Sequence, residues 1–446
     1  MFDFDDTTAR MAEAIGRYTR ERLALDPVPL DRSRSREELE HAAPSMIDED
    51  GNDPLDVLAV FERVLAPSVV SADSTRFMAM IPAAPTKASL LFDSVVSASS
   101  LNGISWLEAS GAVHAENQVL RWIADLAGLG PSAGGCFVSG GTAANLSALV
   151  VARDLAMARQ PERSRWRAIV ADSAHSSIGG ALRVIGVEPV VVTTVDGRLT
   201  GDGVVEALAT FDDVCAVVAT AGTTNAGIID DLAGVGSAAR SAGVWFHVDG
   251  AYGGAALLSE RTRRLFDGVE LADSFVVDPH KWLFAPFDCA ALVYREPRLA
   301  KTVHTQDAAY LDAIHENVDE WNPTDYALHL TRRARGLALW YSLSVHGVGA
   351  YRRAVERGLD LAQFAADRIE AADHLELIRR PDLGVVLYRR RGWDPTDYWS
   401  WSRRQLDAQR AFALPSIHEG ETVGRLVFLH PDTSEDLVVE LVDSMI

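Results

Sequence analysis

Between Gly134 and about Tyr294, short β-branched runs alternate with Ala-rich segments of helical spacing. The runs fall at 136–139, 168–171, 189–193, 214–219, 244–248, 274–277 and 291–294, each bounded by Gly, Asp or Pro. Such alternation predicts an α/β fold: a mostly parallel seven-stranded sheet wrapped by helices. Before it, polar Pro-containing stretches join helical segments, with 55–65 amphipathic; residues 87–129 stay helical, with a break at Gly103. After it, a long helix through Tyr341 and Leu343 leads to short strands, including 425–429, and a last helix. The expected organisation is an N-terminal helical arm (1–85), a large ligand-binding domain (86–335) and a small C-terminal α+β domain (336–446). Ligands of open α/β sheets collect beyond the carboxyl ends of the strands. Residues just after each run are therefore the candidates for chemistry.

Composition narrows the classes. A chain of 446 residues with 48% hydrophobic and 24% charged positions is long enough to bury a core without staples. Its formal charge of -21 disfavours a phosphate backbone or an anionic membrane as partner. The three cysteines, Cys136, Cys215 and Cys289, lack metal-ligand spacing and read as buried free thiols, so no metal site is expected. The acidic start, Met1-Phe-Asp-Phe-Asp-Asp, is unlike a signal peptide, and no long uncharged apolar run follows. A cytoplasmic protein is expected. Only Lys87, Lys281 and Lys301 are lysines; the other 39 basic residues are arginine.

Five junctions stand out. Ser139-Gly140-Gly141-Thr142 ends a strand and opens a helix, where backbone N–H groups and the helix dipole suit a phosphate, although a plain connection would look the same. It matches neither the dinucleotide nor the Walker pattern, which disfavours NAD and ATP. His175 stands at a strand-to-helix junction, either facing a ligand or capping the helix. Thr223-Thr224 ends another strand with hydroxyl groups. Asp249, in Trp245-Phe-His-Val-Asp249-Gly-Ala251, closes an apolar strand, so its carboxylate needs a cation, whether an arginine or a protonated ring nitrogen. Lys281, in Asp278-Pro-His280-Lys281-Trp, ends a buried strand, where a partly desolvated amine can attack an aldehyde. A phosphate cup, a buried carboxylate and such a lysine on one sheet edge together describe pyridoxal 5'-phosphate.

With these motifs the chain resembles the group II pyridoxal-phosphate-dependent amino-acid decarboxylases, the aromatic-L-amino-acid and glutamate decarboxylase group of fold type I, over nearly its whole length. The resemblance implies Lys281 as the Schiff-base lysine with His280 beside it, Asp249 and Ala251 at the pyridine ring, and Gly141, Thr142 and Thr224 at the phosphate. It implies that His175 stacks on the ring and helps move a proton. It also implies a homodimer with shared sites, in which Tyr310 sits on a loop that reaches the partner's site and helps protonate the carbanion. In related aldehyde synthases that tyrosine or histidine is replaced; both are present here, which favours plain decarboxylation. Phe77, Met80, Ile81, Pro82 and Trp106 suggest an apolar pocket and an aromatic substrate. An acidic substrate would instead need a cation such as Arg76, the Lys87 neighbourhood or Arg425. A fold type I aminotransferase is the alternative reaction class.

Overall fold

The computed structural model describes residues 2–81, 84–316 and 320–446; Pro82, one of the residues read as substrate-facing, lies outside them. The arm holds helices α1 (Asp6–Leu23), α2 (Arg36–Ala42) and α3 (Pro54–Val60), the last widening into a π turn over Phe61–Leu65. Asp5, Ser35 and Asp53 cap their N-termini through side-chain oxygens. The predicted 87–129 segment is two helices, α4 (Lys87–Ala98) and α5 (Trp106–Leu126), separated at Gly103.

The alternating region then forms β1 (Gly134–Val138), α6 (Gly141–Arg159), β2 (Arg167–Ala171), α7 (Ser176–Ile185), β3 (Glu188–Val192), α8 (Gly201–Thr210), β4 (Val214–Thr220), α9 (Leu232–Ser241), β5 (Trp245–Asp249), β6 (Ser274–Val277) and β7 (Ala290–Tyr294). These seven strands form one sheet in the order β1-β7-β6-β5-β4-β2-β3. Strands β3, β2, β4, β5 and β6 pair in parallel; β7 is antiparallel to both of its neighbours, β6 and β1. Strand β1 therefore points the same way as the parallel set, and the carboxyl ends of β1, β2, β4, β5 and β6 share one edge. Strands β1, β4, β5, β6 and β7 are buried throughout, which accounts for near-continuous apolar runs in place of a two-residue alternation. Edge strand β3 is mostly open.

Apolar side chains pack on both faces. One layer joins Ile123, Val217, Phe246, Phe275 and Trp282, and the other joins Leu149, Val170, Ile178, Val218 and Leu292. After α10 (Pro297–His304) come α11 (Leu337–His346) and α12 (Val348–Glu370), so the long helix expected there breaks at Gly347 (φ +74°). Beyond them, β8 (Leu375–Leu377), β9 (Val385–Arg390), β10 (Ser416–His418) and β11 (Glu421–Val427) build an antiparallel sheet in the order β10-β11-β9-β8. Helices α13 (Pro395–Asp407) and α14 (Glu435–Asp443) complete this part, whose core joins Ile369, Tyr388, Trp401, Phe428 and Leu441.

Two imidazoles, His247 fully buried and His329 partly so, make stability pH-dependent. Burial pushes His247 down, and burial together with nearby Arg332 pushes His329 down to about 4. Unfolded, each titrates near about 6.5. Between those values the unfolded chain binds protons that the folded chain does not, so stability is full above the upper value and falls as pH drops toward the lower one. Denaturant midpoints are expected to decrease from pH 7 to pH 4.5, and His329→Asn should flatten that slope.

Candidate active site

A cavity of about 210 Å³ opens at the shared carboxyl edge. The structure brings Gly141, Thr142, His175, Thr224, Asp249, Ala251, His280 and Lys281 together around it. Each arrives on a separate connection: Gly141 and Thr142 after β1, His175 after β2, Thr224 after β4, Asp249 and Ala251 at the end of β5, and His280 and Lys281 after β6.

Helix α6 starts at this cavity with Gly140 as N-cap and no side-chain cap, so its first N–H groups remain available to an anion. A Cβ on Gly141 would stand 3.1 Å from Ala251 Cβ and from an Asp278 oxygen, so a side chain there would crowd this cradle. Lys281 Nζ pairs with Asp278 Oδ2 at 2.9 Å, and its side chain is a quarter exposed, which leaves the amine reachable. Its anchor is Trp282, fully buried and stacked on Tyr252 with ring centroids 5.4 Å apart. Losing such a ring costs on the order of 3–5 kcal/mol, so the backbone carrying the lysine is held firmly. His280 Nδ1 accepts from Cys289 N at 3.0 Å, and burial lowers its pKa against the opposing charge of Asp278.

Asp249 is buried, and no arginine among the described residues pairs with it. Its Oδ1 accepts from Ala251 N at 3.1 Å and its Oδ2 from Asn145 Nδ2 at 2.9 Å. Two neutral donors leave its charge available to a cation in the cavity. His175 meets both readings of its sequence: it caps α7, its Nδ1 accepting from Ser177 N at 3.2 Å, and it also lines the cavity. An amine, an anion cradle and an unneutralised carboxylate fit a phosphorylated pyridine aldehyde, and Asp278 Oδ1, buried without a hydrogen-bond partner, leaves an acceptor for a bound group.

The sequence model of the pyridoxal-dependent decarboxylase conserved domain matches residues 36–391. The chain belongs to that family. It is a pyridoxal-phosphate-dependent carboxy-lyase acting on an amino acid. The aromatic-L-amino-acid decarboxylase of Bacillus atrophaeus is 29% identical over 94% of this chain and 90% of its own length. The L-2,4-diaminobutyrate decarboxylase of Acinetobacter baumannii is 30% identical over 64% of this chain and 61% of its own. In fold, the crystal structure of Oryza sativa TDC with PLP and tryptamine superposes with a TM-score of 0.87 at 24% identity, covering 100% of this chain and 98% of that one.

The remaining expected residues of this decarboxylase that the structure describes do not line the cavity. Tyr310 lies on the 3-10 segment Ala309–His315 and is 72% exposed. Phe77 packs edge-on against Phe412. Ile81 belongs to the core, where apolar packing claims it. Met80 takes a positive φ of 50° and is more than half exposed, and Trp106 opens α5 with its backbone N–H on Asn322 Oδ1. Conversely, Asn145, Ser177 and Tyr252 line the cavity without having been singled out from sequence. For Asn145 a signal existed: it sits one helical turn beyond Gly141, on the helix that opens at the phosphate-type turn.

Proposed function

We propose that this decarboxylase acts on an aromatic L-amino acid, releasing CO2 and the amine, as a cytoplasmic homodimer. The observation that carries the substrate class is Arg425. It is buried, burial lowers its pKa to about 10, and no carboxylate among the described residues pairs with it. Its guanidinium donates only to carbonyls: Thr224 at 2.6 Å, Met80 at 3.0 Å and Asn225 at 3.2 Å. A buried cation so placed, beside a cavity residue, calls for an anionic ligand. What separates Arg425 from the other candidate cations is its contact with the cavity-lining Thr224: Arg76 donates to Gln409 O, and Lys87 is exposed at the start of α4. One cation matches one carboxylate, which favours a substrate with a single carboxylate over glutamate or aspartate. The long alignment with an aromatic-L-amino-acid decarboxylase supports the same reading.

Pyridoxal 5'-phosphate, when bound, supplies an electron sink for the carbanion left when CO2 departs. In our reading Lys281 would hold the cofactor's aldehyde, and Asp249 would keep a proton on its ring nitrogen. Gly141, Thr142 and Thr224 would hold the phosphate with the open N-terminus of α6, with Ala251 and His280 lining the ring's surroundings. His175, beside the ring, and the partner's Tyr310 would hold a proton for Cα. The exposed apolar side chains Ile15, Phe61, Leu91 and Val95 support a second copy covering the arm and α4.

The test is a panel of L-amino acids with CO2 and amine both measured. Tryptophan, tyrosine or phenylalanine should turn over in preference to glutamate, aspartate and 2,4-diaminobutyrate; preference for an acidic member overturns the assignment. Arg425→Gln should raise KM for the best substrate by about ten-fold or more, the scale of one lost charge-assisted hydrogen bond.

A further inference from the structure

Behind the cavity wall, a chain of hydrogen bonds begins on a group that only donates and ends on one that only accepts. Trp245 Nε1 donates to Ser274 Oγ at 2.8 Å. Ser274 Oγ lies 2.7 Å from His247 Nδ1, and His247 Nε2 lies 3.0 Å from Asn145 Oδ1. Asn145 Nδ2 reaches both Asp249 Oδ2 at 2.9 Å and Ser177 Oγ at 3.1 Å. Asp249 accepts from Ala251 N on one oxygen and from Asn145 Nδ2 on the other, so the asparagine faces it with its NH2 and turns its carbonyl to His247. His247 is enclosed, and burial keeps it neutral, so its one ring proton sits on Nε2. Its Nδ1 then accepts from Ser274, whose oxygen accepts from the indole.

The second amide hydrogen of Asn145 completes the arrangement. Ser177 Oγ accepts it and is left to donate to His175 Nδ1 at 2.9 Å, which also accepts from Ser177 N at 3.2 Å. A nitrogen facing two donors carries no proton, so His175 holds its proton on Nε2.

We propose that Asn145 is a positioning residue whose single amide orients the Asp249 carboxylate toward the cofactor's ring nitrogen and, through Ser177, orients the His175 ring beside it. This rests on the reading of Asp249 given above. A merely structural asparagine would affect every ligand of the cavity alike; a positioning one acts most strongly on ligands that present a ring N–H to Asp249.

The discriminating measurement is equilibrium binding to cofactor-stripped full-length protein, followed by absorbance, for pyridoxal 5'-phosphate and for its 1-deaza analogue, in which C–H replaces the ring nitrogen. Asn145→Ala should weaken pyridoxal 5'-phosphate by about ten-fold or more while changing the analogue by less than about three-fold. Asn145→Asp, which keeps the side-chain size and sets a second acceptor against Asp249, should show the same selectivity and serves should the alanine variant not fold. Equal losses for both ligands, or none, overturn the proposal while leaving the cofactor reading intact. Failure of the unmodified protein to prefer the natural cofactor overturns the role of Asp249, and this inference with it.

Discussion

Replacing Lys281 with alanine is expected to lower amine formation by at least about 10³-fold, a loss on the scale of removing a positioned acid–base group together with a nucleophile. The reason is geometric. No other lysine lines the cavity, and with only three in the chain, Lys87 at the start of α4 and Lys301 paired with Asp325 stand on other elements. The variant should still take up pyridoxal 5'-phosphate non-covalently, because the open α6 N-terminus and the Gly141 cradle are untouched. Two measurements separate these effects. Borohydride treatment should tether the cofactor to the unmodified protein and not to the variant, and the absorption band near ~420 nm expected of a lysine-bound cofactor should be missing. A variant that decarboxylates normally would remove Lys281 from the chemistry altogether. Lys281→Ala also strips Asp278 of its ammonium partner, leaving a buried carboxylate, so Lys281→Gln, which keeps a donor there, is the appropriate companion.

The fold was legible where local pattern and tertiary placement coincide. Strands buried on both faces read as short continuous apolar runs, and the predicted 189–193 and 214–219 differ from the observed Glu188–Val192 and Val214–Thr220 by a single residue at each displaced end. The same logic exposed most of the cavity, because a parallel sheet collects its strand ends on one edge: Gly141, His175, Thr224, Asp249 and Lys281 lie far apart in sequence yet follow strands of one direction. Asn145 was not legible in this way. It points to the cavity from inside a helix, and although Asp249 was marked in the sequence, its link to His247 lay in the two-residue period of β5, which turns both to the same face. Phe77, Met80, Ile81 and Trp106 show a different limit. Apolar residues carry no mark that distinguishes a pocket wall from a core, and packing against Phe412 or within the sheet's core took Phe77 and Ile81. Tyr310 differs again, since its proposed contact belongs to a second copy of the chain.

Asp249→Asn should leave the fold intact and still lower kcat by about 10²- to 10³-fold, the range for losing one preorganised electrostatic contact in a closed site. The substitution preserves shape but removes charge. The asparagine carbonyl could still accept from either Ala251 N or Asn145 Nδ2, yet no anion would remain to hold a proton on the ring nitrogen, and an NH2 would face one of those donors. Stability should change little, because the carboxylate replaced is itself buried without a cation among the described residues. Binding of the phosphate should also persist, since that end of the cavity is built by α6. The decisive control supplies the missing charge from the other side. In Asp249→Ala, which leaves room at the ring nitrogen, a cofactor methylated on that nitrogen carries a fixed positive charge and should recover part of the lost kcat, whereas the natural cofactor should not. If methylation recovers nothing while both cofactors bind, Asp249 acts through orientation and not through charge. Equal turnover by Asp249→Asn and the unmodified protein would instead show that the ring nitrogen needs no proton for this decarboxylation.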